Sequence, residues 1–254
     1  RQLQPTLEEL LPPALAKLQR LRWPPLPPKG MNRGRKIQSL KGGRAKQTLP
    51  IHNAKKLPPE LQVIPVHRLD RDTSGLMLFA RTRLAEQRLV AMFRRHSIVR
   101  DYFGVCLGSL EPQTIRSQLV RDRGDGKRGS LPADASPEAR AASQTAVTHI
   151  VSAEPFADGA YSIIRCQLET GRTHQIRIHL SEAGHMLCGD KVYNSRADGT
   201  KIRDPSGAPR HALHSDRLTF THPMTGQHLQ FEMPLPADLS NWLKRVKPVD
   251  EPAG

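Results

Sequence analysis

Between Val66 and Leu76 the chain reads His67-Arg68-Leu69-Asp70-Arg71-Asp72-Thr73-Ser74-Gly75, an Arg-Leu-Asp triplet set between an apolar run and a turn. A carboxylate in that position is either a turn cap or a reactive group. Asp72, Thr73, Ser74 and Gly75 have the short polar side chains and the glycine that suit a tight turn, which holds Asp70 toward solvent. Arg68 and Arg71 flank it, and arginines beside a carboxylate favour the ionised form that a nucleophile needs. On this segment alone, a cap or a surface salt bridge is the commoner outcome, with Asp72 the better cap.

A second constellation is Glu169-Thr170-Gly171-Arg172-Thr173-His174-Gln175-Ile176-Arg177-Ile178-His179-Leu180. As a helix it puts Ile176 and Leu180 on one face, toward the core, and His174 and Arg177 three residues apart on another. Gly171 allows a tight entry, and the helix start adds partial positive charge suited to phosphate or carboxylate. His174, His179 and His185 invite a metal reading. Their spacing lacks the i, i+4 pair and following Glu of a zincin helix, so no metal is expected. The third element is Arg100-Asp101-Tyr102, where an aromatic opening a strand beside basic residues can stack on a base, although a core tyrosine is the more ordinary role.

The elements that must position these residues follow from the rest of the chain. With 254 residues, a single large domain or two small ones can bury a core. The formal net charge of +15 points to a polyanionic partner, nucleic acid foremost. No long apolar run suggests a membrane span, and three widely spaced cysteines without Cys-x-x-Cys spacing suit a reducing, cytoplasmic setting. No signal peptide is visible. Thr6 and Glu9 form a capping box for a short helix, and Pro12-Pro13 opens a second one toward Leu21. From Leu10 to Pro59 no acidic residue occurs, while lysines and arginines gather among Gly, Pro and Asn, as in a phosphate-seeking loop.

Strands are expected at 61–66, 75–80, 102–107, 114–120, 146–151 and 161–168, with a hairpin formed by 213–220 and 228–233. Helices are expected at 83–96, 173–183 and 239–246, and 121–143 reads as loop. Strands outnumber helices without alternating with them. That predicts an α+β fold built on a mixed, mainly antiparallel sheet.

Taken together, the ordered set resembles the RluA-type pseudouridine synthases. It comprises His67-Arg68-Leu69-Asp70-x-x-Thr73-Ser74-Gly75, Arg100-x-Tyr102, Thr170-Gly171-Arg172-Thr173-His174-Gln175-Ile176-Arg177-Ile178-His179, Gly184-His185 and Gly189-Asp190-x-x-Tyr193. Leu213-His214-Ser215 and Thr221-His222-Pro223-x-Thr225-Gly226 complete it, so the resemblance spans about residues 63–236. It implies a sheet with a central catalytic cleft and a cofactor-free isomerisation of uridine to pseudouridine in RNA. Asp70 would be the nucleophile, attacking either the ribose anomeric carbon or uracil carbon six. Arg177 would pair with that carboxylate, Tyr102 would stack on the base and move a proton, and Arg68 would fill the gap left by a flipped nucleotide. Arg71, Thr73, Arg172 and His174 are carried as RNA contacts.

The resemblance implies RNA as partner, ribosomal before transfer RNA, with no membrane and a monomeric enzyme. The expected organisation is a basic Pro/Gly-rich segment at 1–62, a catalytic domain at 63–247 and a tail at 248–254. Two features depart from the family pattern: no Lys-Pro-x-Gly strand end precedes the catalytic motif, and no small N-terminal RNA-binding domain is present. Since the chain starts at Arg1, with Met31 its first methionine, the expectation is a product cut just after that strand. The alternative function is then a catalytically impaired RNA-binding fragment.

Overall fold

The computed structural model describes residues 7–21 and 57–246. Most of the basic segment, the Thr6 cap and the 248–254 tail lie outside them. The described residues group into two compact units, one running up to His67 and resuming at Leu78–Ala91, the other comprising Arg68–Met77 and the chain from Met92 onward.

In the first unit, α1 (Leu7–Leu18) is one helix, not two, and Pro12-Pro13 lie inside it. The prolines remove two ladder N–H groups without ending the helix. A 3-10 turn at Pro59–Leu61 leads into β1 (Ile64–Pro65), which is shorter than the strand expected over 61–66. The apolar run 75–80 is not one strand. β2 (Ser74–Gly75) belongs to the second unit, whereas β3 (Phe79–Ala80) pairs antiparallel with β1 in the first. α2 (Arg83–Arg94) carries the chain across the boundary after Ala91.

The second unit is a mainly antiparallel sheet, with helices packed on its two faces. Its further elements are β4 (Val99–Leu107), β5 (Gln113–Val120), β6 (Gly129–Ser130), α3 (Pro137–Ala142), β7 (Gln144–Phe156), β8 (Tyr161–Leu168), α4 (Gln175–Glu182), β9 (Leu213–Thr221), β10 (His228–Glu232) and α5 (Ala237–Leu243). The strand order is β10-β9-β4-β8-β7-β5-β6. β2 is the exception to antiparallel pairing, since it runs parallel to β9.

Period-two alternation assigns the faces. Tyr102 and Cys106 of β4, with Ile164 and Cys166 of β8, pack with Ile176 and Leu180 of α4. The intervening Val105 and Tyr161 turn the other way, onto Leu239 and Trp242 of α5. Burying each such large apolar side chain contributes roughly 1.5–3 kcal/mol, so covering both faces fixes the central strands firmly. The 121–143 stretch, read as loop, contains β6 and α3. Each is too short to show a period, and α3 is started by Ser136, whose hydroxyl accepts from the Ala139 amide.

Candidate active site

The Asp70 segment is held by backbone pairing to β9 and by the side chains of Arg210, His211 and His214. Ser74 and Gly75 pair with His214 and Ser215, and the Leu76 amide donates to the Ser215 carbonyl at 2.8 Å. Gly75 has φ of +118°, and a β-carbon there would sit 2.1 Å from the Ser215 carbonyl oxygen, so only glycine permits this approach. Thr73 Oγ1 lies 2.8 Å from His211 Nε2. Ser74 Oγ lies 2.8 Å from His214 Nδ1, and His214 Nε2 lies 3.1 Å from the Met233 carbonyl. A carbonyl only accepts, so His214 Nε2 donates to Met233 while Nδ1 faces the Ser74 hydroxyl. Arg210, paired with Asp238, donates to the Asp72 carbonyl and to Ser74 Oγ. Asp70 itself closes the turn, its carbonyl accepting from the Thr73 amide at 3.0 Å.

Strand register brings Tyr102 to the same place. Tyr102 lies opposite Ser215 on β9, and Ser215 lies opposite Gly75 on β2. The phenol is buried, and burial raises its pKa, with Arg100 pulling against that effect and the charge of Asp70 adding to it.

Arg177 comes from α4, whose residues 175–181 are all buried. A helix enclosed in this way needs internal partners for its polar groups. Gln175 donates to the Val147 carbonyl and to Thr148 Oγ1, and accepts from Thr170 Oγ1 and the Arg172 amide. His179 is within 2.9 Å of both Thr148 Oγ1 and Ser117 Oγ, and burial lowers its pKa to about 4. His179 is thus a core histidine with both ring nitrogens partnered.

Arg177 reaches two carboxylates. Its Nε and Nη2 donate to Asp190 at 2.7 and 2.9 Å, while Nη1 stands 3.4 Å from Asp70 Oδ2. Burial opposes the guanidinium charge, but Asp190 and Asp70 outweigh it and hold its pKa above the usual value. Burial alone would raise the pKa of Asp190; Arg177 and the Val192 and Tyr193 amides draw it below the ordinary range. Arg177 also lies over the Tyr193 ring, 5.0 Å from its centre.

His174 precedes α4 with φ of +60°, a strained conformation for a non-glycine residue and one that recurs at functional sites. Its Nδ1 is 2.7 Å from the Tyr193 hydroxyl, and its Nε2 is 3.8 Å from Asp70 Oδ1. Burial lowers its pKa, Asp70 opposes this, and Arg177, Arg128 and Arg68 lower it further.

Asp70, Tyr102, Arg177, His174 and Arg68 thus share one region. Arg68 and Arg71 are exposed, while the Thr73 hydroxyl is engaged by His211. Arg172 donates through Nε to the Thr145 carbonyl, near the start of β7. Sequence reasoning missed Asp190 as the partner of Arg177, although it stood in the Gly189-Asp190-x-x-Tyr193 motif. It also missed His211 and His214 as anchors of the Asp70 turn. Among the described residues no cluster of three metal-ligating side chains occurs.

Residues 30–182 match the family model described as RNA pseudouridylate synthase, so this chain belongs to that family. Ribosomal large subunit pseudouridine synthase D of Neisseria meningitidis serogroup A is 40% identical over 198 residues, covering 74% of this chain and 50% of the relative. The protein of the same name from Nitrosomonas europaea is 38% identical over 200 residues, covering 74% of this chain and 54% of that one. The chain therefore spans about half the length of these curated relatives. Human RNA Pseudouridylate Synthase Domain Containing 4 shares the fold with a TM-score of 0.57 at 20% identity, covering 72% of this chain and 76% of that chain. No described helix is long and apolar enough to cross a membrane.

Proposed function

We propose that this chain isomerises uridine to pseudouridine in RNA, with ribosomal RNA as substrate and Asp70 as nucleophile. The observation that carries this reading is the Asp70 carboxylate, held on a braced turn 3.4 Å from an arginine whose other two contacts belong to Asp190. A carboxylate held by one long contact keeps its charge oriented while leaving lone pairs free for attack.

Asp70 attacks either the ribose anomeric carbon or uracil carbon six. Both routes break the bond between the anomeric carbon and N1, turn the base, and form a new bond from the anomeric carbon to carbon five. The hydrogen on carbon five leaves as a proton and N1 gains one. The reaction balances without an oxidant or a reductant. Tyr102 offers the base a ring face and its hydroxyl a route for the proton, while Arg68 occupies the space of the flipped nucleotide. Arg71, Arg172 and His174 contact RNA. Thr73, with its hydroxyl on His211, positions the turn.

The test is tritium release from ribosomal RNA labelled at uridine carbon five, comparing the chain with Asp70→Asn. Release by the parent and a drop on the order of 10⁴-fold in the variant are expected for loss of a nucleophile. Equal release from both would remove Asp70 from this role. RNA binding by the parent with no release would make the chain a binding module, not an enzyme.

A further inference from the structure

Beyond Asp70, the second unit holds a groove of about 320 Å³ between the end of β5 and the approach to α4, lined by Arg121, Arg128, Arg172, Gln144 and Thr173. What marks these arginines is that three of them converge on one groove with no carboxylate partner among the described residues. Arg123, Arg165, Arg177 and Arg210 each face a carboxylate within ion-pair distance. Among the described residues, no carboxylate pairs with Arg121, Arg128 or Arg172.

The wall that carries two of them is built, not loose. β6 folds back on β5, pairing Ser130 with Leu119 and Gly129 with Val120. Asp122 Oδ1 accepts from the Gly124 and Gly126 amides, and Asp125 Oδ1 from the Lys127 amide. At the end of α4, Glu182 accepts from Arg123, from the Ser130 amide and from the Ser130 hydroxyl. Its acid is thus spent bracing the turn. A β-carbon on Gly129 would lie 2.4 Å from the Arg123 side chain, so a larger residue there would push Arg123 from its place against Glu182. Across the groove, the bond from Nε to the Thr145 carbonyl steadies Arg172.

Three unpaired guanidinium groups on a braced rim suit an anion with several acceptor oxygens and fixed geometry. The groove is at the lower end of small-ligand pocket size. It adjoins the Asp70 region, since Arg172 and Thr173 line it and the next residue, His174, stands 3.8 Å from Asp70 Oδ1. We propose that this groove is a phosphodiester subsite, in which Arg121, Arg128 and Arg172 hold the backbone of the RNA strand beside the target uridine. The assignment rests on the RNA-isomerase reading, which it extends from the reacting base to its neighbour.

The experiment compares the full chain with Arg121→Gln/Arg128→Gln and, as a control for charge loss outside the groove, with Arg203→Gln; thermal melting confirms that each is folded. Binding of a fluorescent single-stranded uridine-rich RNA is measured across a salt series. The double variant should reduce the slope of log affinity against log salt by roughly 1.4, about 0.7 for each lost contact to a single strand. Arg203→Gln should leave the slope as in the parent. On labelled ribosomal RNA the double variant should raise KM roughly tenfold with kcat kept. An unchanged slope, or one no smaller than that of Arg203→Gln, overturns the subsite. Displacement of the RNA by submillimolar inorganic phosphate at constant ionic strength also overturns it, since the groove would then be a free-phosphate site. The slope does not depend on turnover, so a parent chain that binds with the expected slope difference but releases no tritium sinks the isomerase reading and spares the groove.

Discussion

Arg177 and Asp190 form a buried two-point ion pair, with contacts of 2.7 and 2.9 Å, and the Val192 and Tyr193 amides hold the same carboxylate. The third guanidinium nitrogen is thereby aimed at Asp70 without being bound tightly to it. Orientation of the Asp70 carboxylate is thus set from a residue that does not touch it.

Asp190→Asn keeps the shape of the side chain but leaves the Arg177 charge buried without its main partner. Breaking a buried pair from one side costs about 3–5 kcal/mol, and a loss in that range is expected in urea unfolding. Below the new melting temperature, kcat should fall while KM stays near the parent value, because Asp190 acts through Arg177 and not on the substrate. A fall in stability with kcat intact would make the pair purely structural.

Gly75→Ala should separate the Asp70 turn from β9. The added carbon meets the Ser215 carbonyl, and the positive φ is strained for alanine as well. A destabilisation of about 1–3 kcal/mol is expected, with faster hydrogen exchange at the Leu76 amide, which donates to that carbonyl. Catalytic loss should exceed what the unfolded fraction explains.

Tyr102→Phe separates the stacking proposed for the ring from the proton transfer proposed for the hydroxyl. The ring face remains, so RNA affinity should stay within a factor of about two, while kcat falls on the order of 10²-fold if the hydroxyl handles a proton. A fully active Tyr102→Phe enzyme would confine Tyr102 to stacking.

Two buried histidines set a pH dependence for stability. Burial brings His179 and His211 from 6.5 to about 4, so between those values the unfolded chain binds protons that the folded chain does not. Stability is therefore fully present above pH 6.5 and is lost as pH falls toward 4, by about 3 kcal/mol for each histidine. Urea unfolding across pH 4–7 should show this slope, and His179→Gln should flatten it by about half. A flat profile in the parent would mean that these rings take up protons without unfolding.

The sequence made the site more legible than its scaffold. Asp70, Tyr102 and Arg177 lie in ordered motifs, and the structure brings them to one region. The long strands were readable because β4 and β8 alternate two apolar faces. Asp190 was not assigned, since a carboxylate 13 residues after its arginine, beyond the end of α4, obeys no helical or strand period. The run 75–80 looked like one buried strand because apolarity does not tell which partner each half pairs with. The short β6 and α3 were hidden by the turn residues around them.

The ten residues Arg68–Met77 belong to the sheet unit, yet the chain on both sides of them, up to His67 and from Leu78 to Ala91, belongs to the other unit. The polypeptide crosses between units after His67, after Met77 and after Ala91. No single junction can therefore divide this protein into its two units. A chimaera joined at one point within 78–91 would inherit Asp70 from one parent and Tyr102, Arg177 and Asp190 from the other. Exchanging either unit whole demands three junctions, so a crossover within 78–91 mixes the residues around Asp70, whereas one upstream of Arg68 carries them over together.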